Sequence, residues 1–190
     1  MLLNGQAILP AIRSMKDFEK MLTMKYEYGV FLDLNIGMVK SVLDLARQHD
    51  KKMFVHLDLI SGLASDEHGV EFINRYAKPY GIISTKGSAL VKAKQKGLVA
   101  TQRAFILDSN ALNRSVKLAQ KADPDFIEVL PGVAPKIIEL IRRETGKPVF
   151  AGGLIDEKEE VEAALKAGAS AVTTSNVELW KMFSDNSAAT

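Results

Sequence analysis

Eight short apolar runs, each followed by a longer stretch of helical period, constrain this chain more than any other feature of its sequence. The runs are rich in Ile, Val, Leu and Phe and begin near Ala7, Tyr28, Met53, Gly81, Leu98, Asp125, Pro148 and Ser170. Strands separated by helical crossovers pair in parallel, and the helices then cover the sheet. The start-to-start intervals are 21, 25, 28, 17, 27, 23 and 22 residues, and all but the fourth hold a strand, a three-turn helix and two short loops. Open doubly wound sheets more often carry about five or six strands, and closure removes exposed strand edges. The expected fold is therefore α/β: a compact, abbreviated (β/α)8 TIM-like barrel with eight parallel strands. At 190 residues the chain is slightly below the roughly 200 usual for such barrels, so at least one helix should be short or missing, and Ser88 to Lys96 is the expected place.

The helical stretches carry their own start and stop signals. Ser14 can cap free amides with Asp17 three positions on, and Met15, Phe18 and Leu22 form the first buried stripe. Ile36, Val39, Leu43 and Ala46 repeat the stripe, as do Val70, Ile73 and Ala77, and then Leu112, Val116 and Ala119. Pro135 suits a first helical turn ahead of Ile137, Ile138 and Ile141, with Gly146 as the stop; Asp156 and Glu159 open a further helix that Gly168 closes. Residues 1–183 read as one barrel domain, and 184–190 as a disordered tail with little to bury.

Composition removes several classes of function. With 25 Lys and Arg against 23 Asp and Glu, no strong field exists for indiscriminate polyanion binding. The absence of cysteine excludes disulfide frameworks, zinc fingers and thiol enzymes and suits the cytoplasm, where the chain is expected. No stretch approaches the roughly 20 apolar residues of a spanning helix, so neither membrane insertion nor secretion is expected. P-loop, H-E-x-x-H and G-x-S-x-G motifs are absent, and no RNA-binding motif with interleaved aromatics is present. Lys92, Lys94 and Lys96 read as a solvated face, and Phe18, Trp180 and Phe183 as core.

In a barrel strand, alternate residues face the packed interior, so a polar residue of that parity near the carboxyl end marks the mouth. On this reading Phe31 and Asp33 face inward from the second strand, Phe54, His56 and Asp58 from the third, and Glu128 from the sixth. Gln102 and Arg103 belong to the fifth run with parity unresolved; Arg13 and Lys86 follow the first and fourth strands. Converging carboxylates raise one another's proton affinity unless cations, a metal or hydroxyl groups satisfy them. They could bind a ligand, or could cap helices and pair with Arg13, Lys86 and Arg103. The run ending Ala151-Gly152-Gly153-Leu154 and the one ending Thr173-Thr174-Ser175-Asn176 occupy the two positions whose loops hold phosphate in many barrels. Glycine lets amides approach an anion, and Thr174 and Ser175 offer hydroxyls before a helix start.

The segments FLDLNIG, VHLDLISGL, GIISTKGSALVKAK, ATQRAFILDSNAL, DFIEVLPGVAPKII, AGGLIDEKEEVEAALKAGASAVTTSN and ELW together resemble the glycerol-3-phosphate-responsive antiterminator family, over roughly Ala7 to Phe183. The resemblance implies a truncated phosphate-binding barrel without catalytic residues. Its effector would be glycerol 3-phosphate and its partner the leader mRNA of glycerol-utilisation genes, with an oligomer possible. It also implies phosphate at Gly152, Gly153, Thr174 and Ser175, and glycerol hydroxyls near Asp33, His56, Asp58, Lys86 or Glu128, with Arg13 and Arg103 as charge partners. No cofactor or metal is implied, although magnesium between Asp33 and Asp58 stays open. On this view the ligand orders a long loop from Ile60 to Glu67. The competing expectation is a lyase or isomerase of small phosphorylated sugars, with Glu128 or Asp58 as general base and Lys86 stabilising negative charge.

Overall fold

The structure, a computed structural model, describes residues 2–184. After a 3-10 turn at Leu2–Gly5, the elements in chain order are β1 (Ile8–Ile12), α1 (Met15–Thr23), β2 (Tyr28–Phe31), β3 (Leu34–Asn35), α2 (Ile36–Gln48) and β4 (Lys52–His56). A 3-10 turn at Leu57–Leu59 leads to β5 (Ile60–Ser61), α3 (Glu67–Tyr76), β6 (Gly81–Ser84), α4 (Gly87–Gln95), β7 (Val99–Phe105) and α5 (Ser109–Ala122). The chain ends with β8 (Phe126–Leu130), α6 (Pro135–Thr145), β9 (Val149–Gly152), α7 (Lys158–Lys166), β10 (Ala171–Thr174) and α8 (Val177–Ser184). Eight strands close in the order β1-β10-β9-β8-β7-β6-β4-β2, every neighbour parallel, while β3 and β5 form a separate two-stranded pair. The expected barrel is thus present, each of its strands starting within one residue of the apolar run that announced it. The expected tail at 184–190 lies outside the described residues apart from Ser184, the last residue of α8.

No helix is missing, but the one expected to be abbreviated is short, against 13 residues in α2 and 14 in α5. The α4 helix is present with nine residues, as many as α1 and α7, and α8 has eight. The segment from Ile60 to Glu67 is not a long free loop either. Ile60 and Ser61 pair with Leu34 and Asn35, and Asp66 caps α3 by accepting from the Gly69 amide. Two helix starts also differ from expectation in detail: Met15 is exposed, and α7 is opened by a capping box of Glu157 and Glu160.

The two faces of the strands build two cores. Outward residues such as Val55, Ile82, Ile127, Val149 and Val172 meet the inner stripes of the helices, including Phe18, Val39, Ile73, Ile138 and Trp180. Inward residues Leu9, Val30, Phe54, Ile83, Phe126 and Phe150 fill the barrel. Phe126 stacks on Phe150 with centroids 4.5 Å apart, and Phe54 meets Phe150 edge-on at 6.0 Å, so the lower interior is an aromatic floor. The parity read for the second strand is inverted. Phe31 faces outward against Phe18 of α1, centroids 4.9 Å apart, and Val30 faces inward; both faces of a parallel strand are apolar, so the run of apolar residues carries no sign of which is which.

Candidate functional site

Above the aromatic floor the inward positions become polar. Register places Arg103 of β7 beside Glu128 of β8, and Thr173 of β10 beside Gly152 of β9. The Thr173 hydroxyl donates to Glu128 Oε1 at 3.0 Å. Glu128 Oε2 lies 3.7 Å from Arg103 Nε and 3.9 Å from His56 Nε2, too far for a hydrogen bond. His56 is 1% and Glu128 3% exposed. Both imidazole nitrogens of His56, Arg103 Nε and Glu128 Oε2 are buried without a hydrogen bond. An unmade hydrogen bond on such a group costs about 1–3 kcal/mol, so a small molecule or water reaching these atoms would recover that energy.

Burial sets the protonation of both groups. It pushes the Glu128 carboxyl up from its ordinary value, against the opposing pull of Arg103 and the Thr173 hydroxyl. It holds the His56 imidazole down at about 3, helped by the positive charge of Arg103. His56 and Glu128 are therefore not a charged pair. Arg103 is partly fixed by lying over the Phe105 ring, 4.8 Å from its centroid.

This polar layer is the base of a cavity of about 280 Å³ at the carboxyl ends of the strands. Its wall includes Arg13, His56, Arg103, Glu128, Gly153, Thr173, Thr174 and Ser175. Arg13 is exposed at the rim, with no carboxylate at ion-pair distance among the described residues. Gly153 has φ of +79°, a backbone that glycine adopts freely, and the Ser175 hydroxyl makes no hydrogen bond among the described residues. Thr174 is different: its hydroxyl donates to the Ile155 carbonyl at 3.1 Å and accepts from the Asn176 amide at 3.1 Å, so it ties the two rim loops together. Gly152 does not line the cavity. A Cβ there would lie 2.3 Å from the Thr173 hydroxyl and 3.2 Å from Glu128 Oε1, so the residue makes room for that hydrogen bond.

Three expected residues stand elsewhere. Asp33 is exposed beyond the end of β2 and lies outside the cavity wall. Asp58 sits in the 3-10 turn after β4, where it accepts from the Ser84 hydroxyl at 2.6 Å and from the Thr85 amide and hydroxyl at 2.7 and 2.8 Å. Lys86 is exposed at the start of α4. Asp33 shares the outward parity of Phe31, while Leu32 before it lines the cavity; at Asp58 and Lys86 the strand has ended, so alternation no longer directs the side chain. Among the described residues no group of three or more His, Asp or Glu side chains is placed to hold a metal ion, and no helix is long and apolar enough to cross a membrane. Thr173 was not expected as a site residue, although counting alternate positions from the buried Ala171 reaches it.

Residues 8–180 match the family described as glycerol-3-phosphate responsive antiterminators. The chain belongs to that family. Among solved structures it is similar to the glycerol uptake operon antiterminator regulatory protein of Listeria monocytogenes, at 41% identity and a TM-score of 0.92 over 95% of this chain and 98% of that one. A glycerol uptake operon antiterminator-related protein of Thermotoga maritima matches at 34% identity and a TM-score of 0.82, covering 93% and 99%. An aldolase at 18% identity, with a TM-score of 0.71 and coverage of 96% and 97%, shares the barrel alone. The family is thus described by its response to glycerol 3-phosphate, and the likeness to the aldolase concerns the fold.

Proposed function

We propose that this antiterminator binds glycerol 3-phosphate at the barrel mouth and, when occupied, acts on the leader mRNA of glycerol-utilisation genes so that transcription passes a terminator. The observation that carries the ligand half is the cluster of buried, unpartnered atoms on His56, Arg103 and Glu128 facing a cavity of about 280 Å³. That volume lies just under the range of roughly 300–1,000 Å³ typical of drug-sized ligands, and so suits a small metabolite. Neighbouring hydroxyls can give and take hydrogen bonds there: one donates to Glu128 Oε2, and another accepts from Arg103 Nε. The phosphate then belongs at the rim, between the Arg13 guanidinium and the backbone of Gly153 and Ser175. Gly152 and Thr174 support this site by making space and tying loops, and Asp33, Asp58 and Lys86 do not touch the ligand.

Calorimetry with glycerol 3-phosphate, glycerol and inorganic phosphate tests the pairing of the two ends. Only the joined molecule should bind well, and both Glu128→Gln and Gly153→Val should weaken it by about tenfold or more, as expected for a hydrogen bond to a charged group or a crowded amide. Unchanged affinity in both variants would remove the site from the mouth. Run-off transcription on a leader template, with and without the effector, tests the RNA half. A second reading has one observation in its favour: a buried carboxyl with a raised pKa beside a neutral imidazole could serve as an acid–base pair. Turnover of triose or pentose phosphates would establish that reading in place of the regulatory one.

A further inference from the structure

The outer face of α3 carries two aromatic rings that the core does not use. Val70 and Ile73 point inward and are fully buried, whereas Phe72 and Tyr76, one turn apart, are 41% and 44% exposed. The two rings stack on each other, centroids 5.2 Å apart and planes 28° from parallel. They line a surface groove with Glu71 and Arg75. Arg75 has no carboxylate at ion-pair distance among the described residues, while Glu71 is held by Lys92 at 3.3 Å and Lys96 at 2.9 Å. The groove beside the rings thus carries the unpaired Arg75 guanidinium and His68, and the Glu71 charge is already offset by two lysines of α4. We infer that this face is where unpaired bases of an RNA stack on Phe72 and Tyr76, with Arg75 and the two lysines beside the backbone phosphates; the placement rests on the regulatory reading given above.

Charge and ring geometry select this occupant. Every base has a flat π-face that stacks on an exposed ring regardless of sequence, and Arg beside such rings serves both phosphate and base. A second copy of the chain meeting this face across a two-fold axis would set Arg75, Lys92 and Lys96 against themselves with only one carboxylate each to compensate. The face is also mechanically tied to the ligand site. From His56 the chain passes through the turn at Leu57–Leu59 and β5 to residues 62–66, and α3 is seated on that segment so closely that a Cβ on Gly69 would lie 1.8 Å from the Ala64 carbonyl oxygen. Movement at His56 has a short covalent path to the rings.

The test uses the full chain and a fluorescein-labelled, mixed-sequence single-stranded RNA of about 20 nucleotides, read by anisotropy with and without glycerol 3-phosphate. Phe72→Ala and Tyr76→Ala should each weaken RNA binding by about fivefold or more, and Phe72→Leu, which keeps apolar bulk without a ring, should weaken it as well. Glycerol 3-phosphate affinity should stay within about twofold of the parent in all three, showing an intact barrel. With three cations engaged, the salt slope should be no steeper than about −2. Parent-like RNA affinity in the ring variants overturns the placement and leaves the regulatory reading standing. Absence of binding of this RNA by the parent chain, effector present or absent, overturns the sequence-tolerant stacking surface, whereas the RNA half of that reading falls only if run-off transcription on the leader template is also insensitive to the chain. Dissociation of a dimer by the ring variants, with RNA affinity unchanged, assigns the face to self-contact and overturns the proposal.

Discussion

Glu128 and His56 face each other at the base of the cavity with opposite responses to pH. The His56 imidazole is held at about 3 against an ordinary 6.5. The unfolded chain takes up that proton below about pH 6.5 and the folded chain does not, so this contribution is full above 6.5 and is lost as the pH falls toward 3, by on the order of 5 kcal/mol. Glu128 is raised above its ordinary 4.5 by burial, so its contribution is full below 4.5 and is lost as the pH rises through the folded value. Urea unfolding between about pH 4 and pH 7 separates them. His56→Gln should flatten the fall on the acid side, and Glu128→Gln should exceed the parent in stability at neutral pH while binding ligand less well. A parent-like pH slope in His56→Gln would refute the assignment of a buried neutral imidazole. These two residues were legible in the sequence because they lie inside strands, where alternation fixes direction. Asp33 was misread because it shares the outward parity of Phe31, with Val30 and Leu32 facing in, and Asp58 because the chain turns into a 3-10 helix after β4, where the pleat no longer orients the side chain. Gln6 gave no signal at all, yet it is buried at the opposite end of the barrel with four hydrogen bonds, two accepted from the Glu27 and Tyr28 amides and two donated to the Ile8 and Tyr28 carbonyls.

Among the elements, the loops after β9 and β10 act as a unit through a single hydroxyl. Thr174 is 6% exposed and bridges the Ile155 carbonyl and the Asn176 amide, while Asn176 caps α8 by accepting from the Glu178 amide at 3.0 Å. Thr174→Val keeps the shape but strands a buried carbonyl and amide, so stability should fall by about 1–3 kcal/mol. Hydrogen exchange should quicken at 153–157 and 175–178 ahead of the strands. Uniform exchange across the barrel in this variant would show that the loops are held by something else. The sequence marked both loops as a pair, since glycines and hydroxyl residues at the ends of the last two strands have few other reasons to coincide. It did not distinguish lining from bracing, because Gly152 and Gly153 differ only in what surrounds them and Thr174 differs from Ser175 only in its partners.

At the scale of the molecule, closure makes the interior a shared property of all eight barrel strands. Phe150 is fully buried between Phe126 and Phe54, so Phe150→Ala opens a hole that no neighbour can fill and should cost about 3–5 kcal/mol. Denaturant unfolding should remain one cooperative transition with an unchanged slope, because the ring of strands has no edge from which to unzip. A second transition in that variant would mean that part of the barrel folds by itself. The repeat itself was plain in the sequence, since strand and helix periods alternate with punctuation at both ends, whereas the β3–β5 pair was invisible because two residues leave no periodicity. That small pair has a mechanical consequence. Pairing Leu34 and Asn35 with Ile60 and Ser61 buckles the leads into α2 and α3 together outside the main wall. A displacement of either lead is therefore shared by its companion, which couples the starts of α2 and α3 through two residue pairs.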